Sequence, residues 1–271
     1  MRFFVSFILL FLSSCEKFSY EIQNLNNGEI QVLGHGGMGI HSILPMNSLA
    51  SVSSCIDNGA QGTEIDVQLS KDGYLVAYHD KDLSDNTTGS GVVRNQNWSD
   101  FNDYRYKDLS VTSNYPIRLV SEIIESIGLS ENVAFSLDCK LYSSELDTVN
   151  YYDAFTDAII SLINLHEFDF YIESDDLDFL NLLQSKKPEY KLLYLPSTFS
   201  EGYDIIQSNS YFGLSIATNK VTKQEVQLAH DNGYWISLWN VHTKNRNREA
   251  ILKSPDCIQA DKLNHLFNLL D

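Results

Sequence analysis

A closed (β/α)8 barrel, the TIM-barrel class of α/β fold, is what the sequence predicts, on three observations. Strand-like and helix-like stretches alternate from residue 30 to the end of the chain. One strand-like run too many for eight staves is removed by a tight turn. Acidic and histidine residues gather at the C-terminal ends of the strand-like runs, the end at which such barrels carry their chemistry.

The strand-like runs are 30–36, 63–69, 74–79, 133–140, 169–172, 191–195, 211–217, 234–239 and 257–260. Helical stretches lie between most of them, among them 48–58, 119–127, 152–165, 176–184, 223–232 and 248–253. This order signals parallel strands with crossover helices. Asn232-Gly233 supplies a left-handed stop to the helix before it. Ser70-Lys71-Asp72-Gly73 is an Asp-Gly turn of the hairpin kind, too short for a parallel crossover of a dozen residues. Run 74–79 is therefore expected to fold back on 63–69 as a hairpin arm. Eight strands remain, in a chain suited to a barrel of about 250 residues. The alternative is a doubly wound open sheet, against which the first strand-to-helix turn lacks a spaced GxGxxG pattern. Residues 80–118 are polar and aromatic with little periodicity, and are expected to form an insertion at the barrel mouth.

Composition narrows the function. There are 19 basic and 36 acidic residues, a net charge of −17. A nucleic-acid partner is excluded for want of a basic face, and so is a polybasic membrane patch. At 43% hydrophobic and 20% charged, the chain has ordinary globular usage. Its first residues differ. A single charge at Arg2 precedes an apolar run from Phe3 to Leu12, too short to span a bilayer. Leu12-Ser13-Ser14-Cys15 then resembles a bacterial lipobox. The expected organisation is a lipoprotein signal peptide over 1–14, lipidated Cys15, a polar tether over 15–28, and one barrel domain over 29–271. The place that follows is the bacterial cell envelope, with membrane contact through the lipid anchor only. Of the remaining cysteines, Cys139 and Cys257 lie in apolar strand-like runs and read as buried thiols.

In a strand, residues i and i+2 share a face. Glu64 and Asp66 therefore point one way, and Asp138 and Lys140 do the same on a later strand. His35 ends the first run and His79 the hairpin arm. Any one of these, alone, reads as a helix cap or a packing residue; together on one barrel face they read as a site. Three converging carboxylates repel one another, and a divalent cation cancels that charge. All-oxygen ligands suit Ca2+ or Mg2+. His41, His166, His230 and His265 fall on loops or helices and are set aside. Asp261 fits two readings, a mouth residue or the N-cap of a helix over 262–270.

These residues also carry a resemblance. Gly34-His35-Gly36-Gly37, Pro45-Met46-Asn47-Ser48-Leu49, the run from Gly62 to Gly73, and Tyr78-His79-Asp80 resemble the HRG, PENTL, ExDVQLTKDG and HD segments of the glycerophosphodiester phosphodiesterase family, in the superfamily of phospholipase-C-like phosphodiesterases. Asn86-Thr87-Thr88-Gly89 is similar to its RTTxG, Asp138-Cys139-Lys140 to its ExK, and Trp239-Asn240-Val241-His242 to its WTVN. The resemblance implies a (β/α)8 barrel and metal-dependent hydrolysis of a small glycerophosphodiester to glycerol 3-phosphate and an alcohol. It implies that Glu64, Asp66 and Asp138 hold one divalent cation, that His35 and His79 are the acid/base pair, that Lys140 meets the phosphate, and that Trp239 lies at the substrate. Three departures stand out: HRG becomes HGG at Gly36, the PENTL glutamate becomes Met46, and the RTT arginine becomes Asn86. Loop residues Arg94, Arg246 and Arg248 are the candidates to supply the missing charge. A related phosphodiesterase acting on another diester, or a binding module on a retired barrel, are the alternatives.

Overall fold

The computed structural model describes residues 20–107, 114–128, 133–142 and 148–271. The leader over 1–14 and Cys15 lie outside them. Among the described residues, strands and helices alternate as β1 (Gln31–Gly34), α1 (Leu49–Asp57), β2 (Gly62–Leu69), β3 (Leu75–Ala77), α2 (Val120–Ile127), β4 (Ala134–Cys139), α3 (Thr148–Asn164), β5 (Asp169–Ser174), α4 (Leu177–Lys186), β6 (Lys191–Tyr194), α5 (Phe199–Asn209), β7 (Gly213–Ala217), α6 (Lys223–Asp231), β8 (Trp235–Val241), α7 (Lys244–Leu252), β9 (Cys257–Ala260) and α8 (Leu263–Leu270). Eight of the strands pair in parallel, and β1 pairs with both β9 and β2, so the sheet closes on itself. The open-sheet alternative is thereby set aside.

The ninth strand is the hairpin arm. β3 runs antiparallel to β2 in the register Val67↔Ala77, Gln68↔Val76 and Leu69↔Leu75. Gly73 takes φ +89 in the turn, a conformation that glycine adopts without a Cβ penalty. β1 is short and meets β2 only at Leu33↔Gly62 and Gly34↔Thr63. Nearer the mouth, β3 takes over the edge of β2 that β1 leaves.

Strand alternation divides the side chains into two sets. Outward residues such as Ile65, Val67, Leu137, Ile172, Leu214, Ile216, Ile236 and Ile258 are buried against the helices in the main core. Each such side chain contributes about 1.5–3 kcal/mol when fully buried. A second cluster of Leu33, Ala134, Tyr171, Leu193 and Cys257, with Phe212 and Trp235 against it, packs separately. It fills the bore at the N-terminal ends of the strands.

Helix starts are fixed at the mouth end by side-chain caps. Ser48, Asp176, Thr198, Thr222 and Thr243 each accept a hydrogen bond from an amide in the first turn of α1, α4, α5, α6 and α7. Helix α5, not among the stretches named from the sequence, carries Gly202 in its interior. That glycine is required by packing, since a Cβ there would lie 2.6 Å from Pro196 Cγ.

The 80–118 insertion has its own small core. Tyr78, Leu83, Val93, Phe101, Tyr106 and Ile117 are buried together, with Trp98 and Tyr104 against them. At the opposite end of the barrel, residues 20–28, expected as tether, are bonded to the domain. Asn24 Nδ2 donates to Pro255 O at 2.8 Å, Leu25 N donates to Asp256 Oδ1 at 2.7 Å, and Tyr20 and Ile22 pack on the main core.

Candidate active site at the barrel mouth

Parallel register brings the acidic residues level. Asp66 stands beside Asp138, Asp138 beside Glu173, and Glu64 beside Ser136. Glu64, Asp66 and Asp138 offer carboxylate oxygens that all lie within 4.8 Å of one another. Each is held by a neighbour with a reason to be there. Gly36 N donates to Glu64 Oε2 at 2.8 Å. Asn47, at φ +62, donates from Nδ2 to Asp66 Oδ2 at 2.8 Å and accepts from Asp66 N at 3.0 Å. Lys140 Nζ lies 2.6 Å from Asp138 Oδ2 and 3.2 Å from Asp66 Oδ1.

The electrostatics follow from three buried carboxylates facing one ammonium. Burial, then the charges of Asp66 and Asp138, push the Glu64 carboxyl well above its ordinary value. Burial pushes Asp138 up as well, despite Lys140. Burial also opposes ionisation of Asp66, but Lys140, the nearby histidines and the Asn47 bond outweigh it and hold Asp66 low. Lys140 is raised by Asp138 and Asp66 against its own burial. Glu64 Oε1 and Asp138 Oδ1 are buried and lack a hydrogen-bond partner. Two orphaned buried carboxylate oxygens in so close a cluster of acids fit a hard divalent cation.

Both histidines flank this cluster, and each has its Nδ1 on a carboxylate. His35 follows β1, and its Nδ1 lies 3.1 Å from Asp261 Oδ1. His79 follows β3, and its Nδ1 lies 2.8 Å from Asp80 Oδ1. Asn86 Nδ2 donates to the other oxygen of Asp80 at 2.5 Å. A carboxylate at Nδ1 favours the proton there and leaves Nε2 to a reactant. Burial lowers the His35 pKa, but the bond and charge of Asp261, with the charges of Asp66 and Asp138, bring a net rise.

All six polar residues expected at the mouth are therefore brought together, and Trp239 lines the same cavity of about 440 Å3. Asp261 resolves as a mouth residue. Its buried carboxylate also accepts from Ile40 N at 2.8 Å and bonds His242 Nδ1 at 2.5 Å, while α8 has Lys262 at its N-cap without a side-chain bond. Burial opposes its ionisation, but His35, Ile40 N and His242 hold it down to about 2. His41, set aside from the sequence, lies edge-on to His242 at 6.0 Å between ring centroids.

The arginines expected from loops do not fill the gap at Gly36, and two of them, Arg246 and Arg248, lie on α7. Arg94 stacks on Tyr151 at 4.2 Å, Arg246 pairs with Glu249 at 2.6 Å, and Arg248 lines a different cavity beside α8. Among the described residues lining the mouth, Lys140 and Lys107 are the Lys and Arg side chains present. Tyr104, Tyr106 and Trp98 serve the insertion's own core, and Tyr106 hydroxyl donates to Ala77 O. Glu173 and Gln259 are additions that the sequence reading missed. Glu173 Oε1 accepts from Ser136 Oγ and Gln259 Nε2, and burial with the charge of Asp138 pushes its carboxyl up to about 7. Run 169–172 stopped one residue before Glu173; extending its alternation by one would have found it.

Comparison with known proteins places the chain. Residues 38–265 match the model of the glycerophosphoryl diester phosphodiesterase family. A glycerophosphodiester phosphodiesterase of Caldanaerobacter subterraneus is 25% identical over 235 residues, which cover 84% of this chain and 93% of that protein. Among solved structures, a phosphodiesterase of Oleispira antarctica, in complex with the product sn-glycerol-3-phosphate, has a TM-score of 0.75 at 20% identity, over 89% of this chain and 96% of that one. A glycerophosphodiester phosphodiesterase of Thermotoga maritima has a TM-score of 0.69 at 21% identity, over 90% and 99% of the two chains.

Proposed function

The chain belongs to the glycerophosphoryl diester phosphodiesterase family and is a phosphoric diester hydrolase; on that premise we propose that it cleaves glycerophosphodiesters to glycerol 3-phosphate and an alcohol at the mouth cavity. The observation that carries this reading is the pair of carboxylate-held histidines, His35 and His79, flanking a cluster of three buried carboxylates and one lysine. Glu64, Asp66 and Asp138 would hold one divalent cation, Ca2+ or Mg2+ by the hardness of the donors. Bound there, the ion supplies polarisation of a phosphoryl oxygen.

The remaining chemistry belongs to the chain's own side chains. Lys140 puts positive charge where negative charge develops on the phosphoryl oxygens. One imidazole takes the proton of the attacking oxygen at Nε2 as that oxygen bonds to phosphorus. The other gives a proton to the alcohol oxygen as its bond to phosphorus breaks. Asp261 and Asp80 keep the two rings in the required tautomer and orientation. Trp239 and Gln259 wall the substrate side of the cavity. The test is release of glycerol 3-phosphate from glycerophosphocholine, with and without a chelator. Chelator-sensitive release supports the reading; no release with either metal overturns it and favours a retired binding barrel.

The lipid anchor belongs to the same proposal. Cys15, after a short apolar leader, is the lipidated residue and places the domain in the cell envelope. Labelling with a fatty-acid analogue is expected in the native chain and lost in Cys15→Ser, together with membrane sedimentation.

A further inference from the structure

The chain enters the barrel at its base, the end opposite the mouth, and is held there by more than passage requires. Asp256, just before β9, is fully buried. Its carboxylate accepts from Leu25 N and from Ile236 N, each at 2.7 Å, and meets His230 Nε2 at 2.9 Å. Asn24 Nδ2 donates to Glu29 O at 2.7 Å and to Pro255 O at 2.8 Å, while its Oδ1 accepts from Asn26 N and Gly28 N. Tyr20 and Ile22 line one groove with Ile30, Gly59, Leu252 and Leu270, all at this end.

The clamp leaves little slack. From Cys15 to Tyr20 is five steps of chain, at most about 18 Å when fully extended. β2 alone, eight residues at about 3.3 Å each with a tilt of ~36°, sets the mouth about 20 Å above the base. The loops that line the mouth stand beyond that. With Tyr20 fixed at the base, an acyl group on Cys15 cannot bring the mouth down to the membrane that holds it.

We propose that the base of the barrel lies against the bilayer holding the Cys15 anchor, with the mouth turned to the aqueous side. The inference rests on the lipid-anchor reading of Cys15 and is independent of the hydrolytic one. The base suits that neighbour. Leu25 on the tether, Leu165 after α3 and Leu252 at the end of α7 are exposed there. Tyr190 before β6 and Trp235 at the start of β8 are half-buried, and amphipathic rings suit a lipid interface. Lys187 and Lys191 at this end are paired with Glu189 and Asp169. Ile40 and Ile43 are exposed at the mouth as well, so apolar surface does not choose between the ends. The length of the leash does. A diester then reaches the histidines from solution, and the lipids of the anchoring bilayer stay out of reach.

The test puts one fluorescent reporter at a time on the lipidated full chain, added to preformed phosphatidylcholine vesicles with or without lipid spin-labelled at the head group. The native thiols Cys55, Cys139 and Cys257 are buried and stay unlabelled, and the lipid itself blocks Cys15. Reporters at Leu165→Cys and Leu252→Cys are expected to lose most of their fluorescence to the spin label. Those at Ile43→Cys, and at Tyr74→Cys in the bend beyond β2, are expected to keep theirs. Two sites at each end cover the case in which one variant fails to fold. Cys15→Ser, left in solution, is the unquenched reference. In a chain that carries fatty acid, equal loss at both ends, greater loss at the mouth, or loss at neither overturns the inference and leaves the anchor standing. A chain without fatty acid removes the anchor reading, and this inference with it.

Discussion

The two ends of the barrel bore are built from the same strands and the same inward face, yet they hold opposite kinds of matter. Two or four residues separate Ala134 from Ser136 and Asp138, Tyr171 from Glu173, Cys257 from Gln259 and Asp261, and Leu33 from His35. At the lower end the side chains pack dry, and burial stabilises the fold. At the mouth burial acts against the charged form of Glu64, Asp138 and Glu173, and the lower end has to outweigh it. Position along a stave decides whether a residue serves stability or chemistry, a division that stability–activity trade-offs make familiar.

The sharpest way to break this division is to truncate each end in turn. His79→Ala is expected to lower kcat by about 10²–10⁴-fold, with little change in Tm. A comparable loss of Tm would mean the mouth also supports the fold. Leu193→Ala, at the lower end, should cost about 2–5 kcal/mol in a denaturant titration while the folded fraction keeps its turnover number.

Asp261 tests the border between the ends. Held at about 2, below the unfolded value of 3.8, its carboxylate contributes stability above about pH 4 that is lost as the pH falls from 4 toward 2. Asp261→Asn should therefore remove about 2 kcal/mol at neutral pH and reduce the acid sensitivity in that window, read from denaturation at each pH. The smallest effect is expected at Glu64. Its raised carboxyl makes the metal-free protein lose stability as the pH climbs above about 4.5. In a chelator, Glu64→Gln should raise Tm by about 2–4 °C, the size that about 1 kcal/mol produces in a domain this large. Added Mg2+ or Ca2+ should raise the wild-type Tm and leave that variant unmoved.

Much of this contrast is legible from alternation alone. Period two on Glu64/Asp66 and Asp138/Lys140 is a local property, and the Asp72-Gly73 turn announces the hairpin that brings His79 back to the level of Asp66. Residues whose role depends on a distant partner are harder to read. Asp261 acquires meaning from His35 and His242, which are 226 and 19 positions away. Asn47 matters through a bond to Asp66 from the start of another element. The arginines failed as substitutes for the same reason: Arg246 and Arg248 lie on α7, and Tyr151 and Glu249 claim Arg94 and Arg246 in space.

The hairpin arm has one more consequence. β2 is shared: its lower edge zips to β1 and its upper edge to β3, and Tyr78 N donates to Asp66 O one residue before His79. Both imidazoles are thus referenced to the single strand that also presents Glu64 and Asp66, as jaws are to one spine. The four-residue bend at Ser70–Gly73, pinned to the insertion by Lys71 N on Gln96 O and Trp98 N on Asp72 Oδ1, sets the gauge of that vice; lengthening it by one position would rotate His79 away from the cleft without touching any residue inside it.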